Sequence, residues 1–213
     1  VDQAQGSAPD RAVVKVNVEE KSTGSLSLGA GFSTASGILG DISVRERNLL
    51  GRGQDLRATL LIGQKQQQID LGFTEPYFLD RNIAAGFDLY YVQTDRRSES
   101  SFDTRTIGSS LRAGYPITEH LTQNWRYTLK RQTIRNVPTD ASIYVQDAEG
   151  TDTVSEVSHS LIYDQRDSRI NPTKGYFGRV TTDVSGLGGD VSYLRNRLDS
   201  GVYYPVTNEW VAS

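Results

Sequence analysis

Between Gly24 and Phe32 the chain alternates without a slip. Leu26, Leu28, Ala30 and Phe32 fall on one side, and Ser25, Ser27, Gly29 and Gly31 on the other. Period two is the signature of a strand; a helix would spread the same leucines around its axis. Ser33–Gly37 is small or polar throughout, as a hairpin tip should be. Ile38, Ile42 and Val44 then resume the alternation on the way back. This hairpin constrains the fold because the rest of the chain repeats it.

After a charged turn, Arg45–Gly53, Leu56, Ala58, Leu60 and Ile62 form the next apolar face, and Ile69, Leu71 and Phe73 return. Ile83–Tyr91 and Ile107–Tyr115 make a further pair, with a charged loop, Thr94–Asp103, between them. Leu121–Leu129 and Val157–Tyr163 follow, joined by the longest polar connection, Arg135–Asp152. Tyr176–Val184 and Leu194–Tyr204 close the series around the tip Gly186–Asp190, and Trp210 opens another strand. The reading is ten strands and an incomplete eleventh, with no sustained helical period. Ahead of them, Ala12–Glu20 alternates valines with polar residues and reads as one separate strand, and Val1–Asp10 reads as a tether or loop.

No run approaches the length of about 18 apolar residues that a membrane-spanning helix needs. The mean hydropathy of −0.48 would suggest a water-soluble chain, but a transmembrane barrel escapes that inference, because every second residue faces a polar lumen. Two details favour the barrel over a two-sheet sandwich. Pro76, Pro116, Pro172 and Pro205 all fall at alternate turns, whereas Pro138 lies in the long polar loop at the other end. Outer-membrane barrels have short turns at one end and longer loops at the other. Beside those prolines stand Tyr77, Phe78, Tyr115, Tyr176, Phe177, Tyr203 and Tyr204, expected as an aromatic belt at the membrane interface. A sandwich would keep its aromatics mid-strand, in a core.

There is no cysteine, hence no thiol chemistry and no cysteine-ligated metal. The formal charge of −3 gives no overall pull toward nucleic acid. His159 and Ser160 are neighbours in one strand and so point to opposite sides, which rules them out as a working nucleophile and base. His120 lies in a turn near Glu119. Asp147–Asp152 lacks the ligand spacing and closing glutamate of a calcium loop, and Gly186–Gly189 precedes no helix that could cradle a phosphate. Arg52, Arg57, Arg112, Arg126, Arg179, Arg195 and Arg197 mostly alternate with apolar residues, as a polar lumen requires. No enzyme activity, cofactor or metal is expected. Val1 follows no charged or apolar leader, and Trp210–Ser213 reads as half a strand, so a piece of a longer protein is expected.

One junction is more specific. Val16, Val18 and Glu20 precede a short joint; then come Gly24, Ser25, Gly29, Gly31, Phe32 and Gly37, and next Asn48, Leu49, Gly51 and Gly53. Thr74, Glu75, Pro76 and Tyr77 follow, and later Asp167, Arg169, Pro172 and Gly175. This pattern resembles the BamA family of outer-membrane protein assembly factors. The resemblance implies that residues 1–23 hold the end of the last POTRA domain and a joint, and that residues 24–213 hold the N-terminal part of a barrel of about sixteen strands. It implies a bacterial outer membrane, lipid around the barrel, nascent outer-membrane barrel proteins as clients, and accessory lipoproteins. It also makes Gly24–Phe32 the edge at a lateral gate, where a client adds its own strand. Related POTRA-barrel transporters, TamA-like or of two-partner secretion, share the architecture. From the residues alone, a passive porin-like barrel stays open, as does a soluble sandwich.

Overall fold

The computed structural model describes residues 2–5, 12–15, 21–33, 37–95, 102–207 and 210–213. Two short strands, β1 (Asp2–Gln5) and β2 (Ala12–Lys15), pair antiparallel in a sheet of their own. Here Asp2–Gln5 departs from the expected tether. Its sequence, DQAQ, has no β-forming side chains, and the partner strand supplies the order. Val16, Val18 and Glu20 lie outside the described residues.

The remaining strands form one sheet in strict sequence order. They are β3 (Gly24–Ser33), β4 (Gly37–Leu49), β5 (Gln54–Gly63), β6 (Gln66–Glu75), β7 (Ala84–Asp95), β8 (Asp103–Pro116), β9 (Leu121–Arg135), β10 (Gly150–Asp164), β11 (Gly175–Ser185), β12 (Tyr193–Pro205) and the two-residue β13 (Val211–Ala212). Every neighbour is antiparallel, and β3 and β13 are the two ends of the eleven-stranded order. Ten full strands and a fragment are what the alternation predicts. Two boundaries differ. Arg45–Leu49 continues β4 through a bulge between Glu46 and Leu49 instead of turning. In the long connection α1 (Ile143–Asp147) makes a single helical turn where none is expected.

The distribution of burial decides the architecture. Among the described residues the buried set is Asp88, Ser110, Thr133, Ser155, Asp183, Ser185 and one hydrophobic residue, Val154. The large apolar side chains are outside: Leu28 is 72% exposed, Phe32 74% and Leu198 72%. A soluble sandwich buries its leucines in a dry core between sheets. Here one face of the sheet exposes large apolar side chains on every strand from β3 to β12, far beyond the patch a soluble chain tolerates. The other face is polar. A backbone paired strand to strand, with its apolar side chains turned outward, is how a chain meets lipid through a sheet.

The motifs pin the turns. At the β4–β5 corner Leu50, Gly51 and Gly53 have positive φ, and the Asn48 side chain accepts the Gly53 N–H at 2.6 Å. Between β10 and β11, Asp167 accepts the backbone N–H groups of Ser168, Thr173 and Lys174 and the Thr173 hydroxyl. Gly175 sits at φ 105°, where a Cβ would lie 2.2 Å from the Gln165 carbonyl oxygen, so only glycine fits.

Candidate functional site

Strand β3 pairs with β4 over its whole length, from Gly24 opposite Glu46 to Ser33 opposite Gly37. No strand lies along its other side among the described residues. Its ten residues match the roughly 9–11 that a tilted strand needs to cross a bilayer. A strand in that position presents a full row of unpaired N–H and C=O groups.

The faces of β3 differ. Leu26, Leu28, Ala30 and Phe32 stand exposed on the apolar face of the sheet. On the polar face Ser25, Ser27, Gly29 and Gly31 offer almost no side chain, and β4 fills the space. A Cβ on Gly29 would lie 2.1 Å from Asp41 Oδ1, and one on Gly31 would touch Leu39 at 3.5 Å. The Asp41 carboxylate therefore lies across the edge strand. It enters no hydrogen bond or ion pair among the described residues. At the start of the strand Glu46 is held by the Thr23 hydroxyl and accepts the Asn48 N–H at 2.8 Å.

Farther along the polar face, four strands converge on Asp88 of β7. Arg57 (β5) approaches Oδ1 at 2.9 Å, Arg112 (β8) approaches Oδ2 at 3.0 Å, and Arg126 (β9) approaches Oδ2 at 3.5 Å. Ser110 donates to Oδ2 at 3.1 Å. A second knot joins Asp183 to Arg195 at 2.8 Å and to the Ser158 hydroxyl. These clusters tie neighbouring strands together inside the polar face, as a wet lumen requires.

The aromatics divide. Tyr115, Tyr176 and Tyr204 stand on the apolar face near the proline turns, and Tyr77 and Phe78 are exposed in the β6–β7 turn. Phe177 and Tyr203 differ from the expected belt: they share the polar face with Asp199 and Arg197, and the Arg166 guanidinium covers the Phe177 ring at 4.3 Å. In the doublets Tyr176–Phe177 and Tyr203–Tyr204 successive side chains must point apart, so only one of each can face lipid. His159 stacks against Trp125 with ring centroids 4.3 Å apart and bonds to Gln123 at 2.9 Å, while Ser160 accepts the Thr181 hydroxyl on the opposite face. Among the described residues no group of three or more histidine or acidic side chains is placed to hold a metal.

Comparison with known proteins agrees with this geometry. Residues 48–213 match the Omp85 superfamily domain. The chain belongs to the Omp85 superfamily. It is 27% identical over 197 residues to the outer membrane protein assembly factor BamA of Neorickettsia risticii, covering 92% of this chain and 27% of that protein. To BamA of Nitratidesulfovibrio vulgaris it is 30% identical over 200 residues, covering 92% of this chain and 24% of the relative. To the human sorting and assembly machinery component 50 homolog it is 29% identical over 208 residues, covering 93% and 42%. The crystal structure of BamA from Haemophilus ducreyi lacking POTRA domains 1–3 superposes with a TM-score of 0.70 at 22% identity, over 91% of this chain and 40% of the other. The chain thus spans about a quarter of the bacterial relatives it matches. Its eleven strands are part of a transmembrane antiparallel barrel of the kind found in outer-membrane assembly factors.

Proposed function

We propose that this Omp85 chain supplies the opening strands of a barrel insertase, in which β3 is the edge that an arriving outer-membrane barrel protein extends. The observation that carries the reading is the make-up of β3, which pairs with β4 over its whole length yet offers only serine and glycine on its polar face. Strand addition through backbone hydrogen bonds is indifferent to most of the client's side chains, which suits a machine with many clients. Gly29 and Gly31 give the edge no side chains of its own on the polar face, where Asp41 and Leu39 of β4 lie instead. Glycine also costs the isolated strand conformational entropy, which weakens whatever pairing closes the barrel there. Gly24, Ser25, Leu26, Ser27, Leu28, Gly29, Ala30, Gly31 and Phe32 are the residues of that edge.

The setting follows from the same reading: a bacterial outer membrane, lipid against the apolar face, accessory lipoproteins at the side of the short turns, and a belt of Tyr77, Phe78, Tyr115, Tyr176 and Tyr204 at the interface. Residues 1–23 belong to the joint with the last POTRA domain.

Crosslinking tests the proposal. Single cysteines at Leu26, Leu28 and Ala30 should form adducts with an arriving client barrel stalled in assembly. A cysteine at Leu60, two strands inside the sheet, should not. Folded variants that give no client adduct at any of the three positions would overturn it.

A further inference from the structure

Most arginines of the polar face are paired with carboxylates: Arg45 with Asp55, the three around Asp88, and Arg195 with Asp183. Three on the apolar face are not. Arg105 on β8 and Arg131 and Arg135 on β9 point the same way as Ile107 and Leu129, and they stand at the end of the sheet that carries the long β9–β10 connection. The register sets Arg131 opposite Ile107 and Arg135 opposite Asp103, so the three guanidiniums occupy adjoining positions on two neighbouring strands. None enters an ion pair or hydrogen bond among the described residues. Asp95 and Asp103, the carboxylates at the last step of this face, already have partners, Asp103 with Asn136 at 2.6 Å. A surplus of positive charge therefore remains on a surface that otherwise meets lipid.

The surface there is concave. A hollow of about 310 Å³ is lined by the three arginines, Tyr91 and Ile107, with the hydroxyl pair Thr133–Thr151 (3.0 Å) at its side. A second hollow of about 410 Å³ adjoins it and shares Ile107 and Arg131. That one is mostly apolar, lined by Leu89, Ile107 and Leu129, and small Ser109 stands between Leu89 and Leu129 where the next positions of β8 on this face carry Ile107 and Leu111. A cationic hollow toward the loops lies above an apolar one toward the membrane middle. Those are the two halves of a lipid: phosphate in the first, acyl chain in the second.

We propose that Arg105, Arg131 and Arg135, with the Ser109 notch below them, bind one anionic, phosphate-bearing lipid of the leaflet on the loop side. The site rests on the barrel facing lipid and not on strand addition at β3, so the two readings fail separately. Guanidinium forks match phosphate oxygens in pairs, and a bilayer edge excludes enough water to strengthen each contact. A lipid held here would fix the depth of β8 and β9 in the bilayer.

The test is native mass spectrometry of the detergent-solubilised protein titrated with phosphatidylglycerol, with phosphatidylcholine as the zwitterionic comparator and inorganic phosphate as competitor. The wild type should retain one phosphatidylglycerol in preference to phosphatidylcholine. The triple variant R105Q/R131Q/R135Q should lose on the order of a hundred-fold in affinity, about five-fold for each cation removed near an anionic headgroup. Should the triple variant fail to fold, the three single variants should each show the smaller loss. Ser109→Leu keeps the arginines and fills the notch; it should weaken phosphatidylglycerol while leaving competition by inorganic phosphate unchanged. Arg52→Gln, in the turn at the opposite end, should change nothing. Equal retention of the two lipids by the wild type, an unchanged arginine variant, or complete displacement by inorganic phosphate would overturn the proposal.

Discussion

Replacing Asp88 by asparagine keeps the shape of the side chain and removes the charge that three arginines share. The magnitude follows from how much of each pair is shielded. Asp88 exposes 12% of its side chain and Arg112 25%, and their contact is bidentate, Nε to Oδ2 at 3.0 Å and Nη2 to Oδ1 at 3.3 Å. Breaking a buried pair from one side costs about 3–5 kcal/mol, because the surviving charge is left unmatched. Arg112 keeps some water and one further acceptor, the Phe73 carbonyl at 3.1 Å, so its share falls to about 2 kcal/mol. Arg57 and Arg126 are half exposed, at 55% and 51%, and surface pairs of that kind contribute about 0–1 kcal/mol each. The expected loss is about 2–4 kcal/mol. Urea unfolding of the protein in detergent micelles, followed by intrinsic fluorescence, measures it. The double variant D88N/R112Q should recover part of the loss, since it removes the orphaned guanidinium together with its partner. If D88N unfolds within about 0.5 kcal/mol of the wild type, the polar face is wetter than the burial of Asp88 implies, and the convergence of four strands on one carboxylate is not what stabilises the sheet.

Gly175→Ala forces a Cβ against backbone atoms, 2.2 Å from the Gln165 carbonyl oxygen and 3.0 Å from the Arg166 Cα, at φ 105°; it should cost at least about 2 kcal/mol in the same unfolding assay. The Asp167 carboxyl, outside the spanning segments, is held far below the usual carboxylate range, first by the Thr173 hydroxyl and then by the backbone N–H groups of Lys174, Thr173 and Ser168. Because the folded value lies below the unfolded one near 4, its contribution is present above that value and is lost only as pH falls through the lower one. The protection factors of the Thr173 and Lys174 amides, corrected for the intrinsic pH dependence of exchange, should therefore be kept at about pH 3 in the wild type and be lower in Asp167→Asn at the same pH. Across the sheet, amides of β3 should exchange faster than those of β8 and β9, which have neighbours on both sides; equal protection would mean that β3 has a partner along its outer side.

The alternation made the strands legible, because a two-residue period survives whatever lies next to it. It also held the warning about Phe177 and Tyr203, since an aromatic doublet in a strand cannot place both rings in lipid. What the sequence did not display is register. Arg57, Asp88, Arg112 and Arg126 are spread over 70 positions, and only the ladders β5–β6, β6–β7, β7–β8 and β8–β9 bring them to one point. The same holds for Arg105, Arg131 and Arg135, which the β8–β9 ladder brings together. In β4, Glu46 and Arg47 suggested a turn by their charge, whereas pairing with β3 and β5 on either side overrode that preference and left only a bulge. Asp2–Gln5 is the purest case, a strand formed without any intrinsic preference for one.

The inside-out burial also leaves the first strand with little to anchor it. In a soluble domain an edge strand is anchored by the side chains it buries, and loss of its ladder leaves most of its stability intact. β3 has no such anchor: its leucines and phenylalanine face outward, and its other face is serine and glycine. Within this sheet its stability rests on the one ladder to β4 and on the Thr23–Glu46 bond at its start. Lipid does not reward a leucine for choosing one neighbour over another, so any strand that completes the second ladder gains nearly the full value of the hydrogen bonds it forms, in a medium where leaving them unmade costs several kcal/mol each. On the proposal that β3 is the edge a client extends, a client strand and a closing strand would compete for it on almost equal terms. Asp41, lying across Gly29 and unpaired among the described residues, would on that proposal favour whichever strand brings a cation or a hydrogen-bond donor to the polar face at that rung.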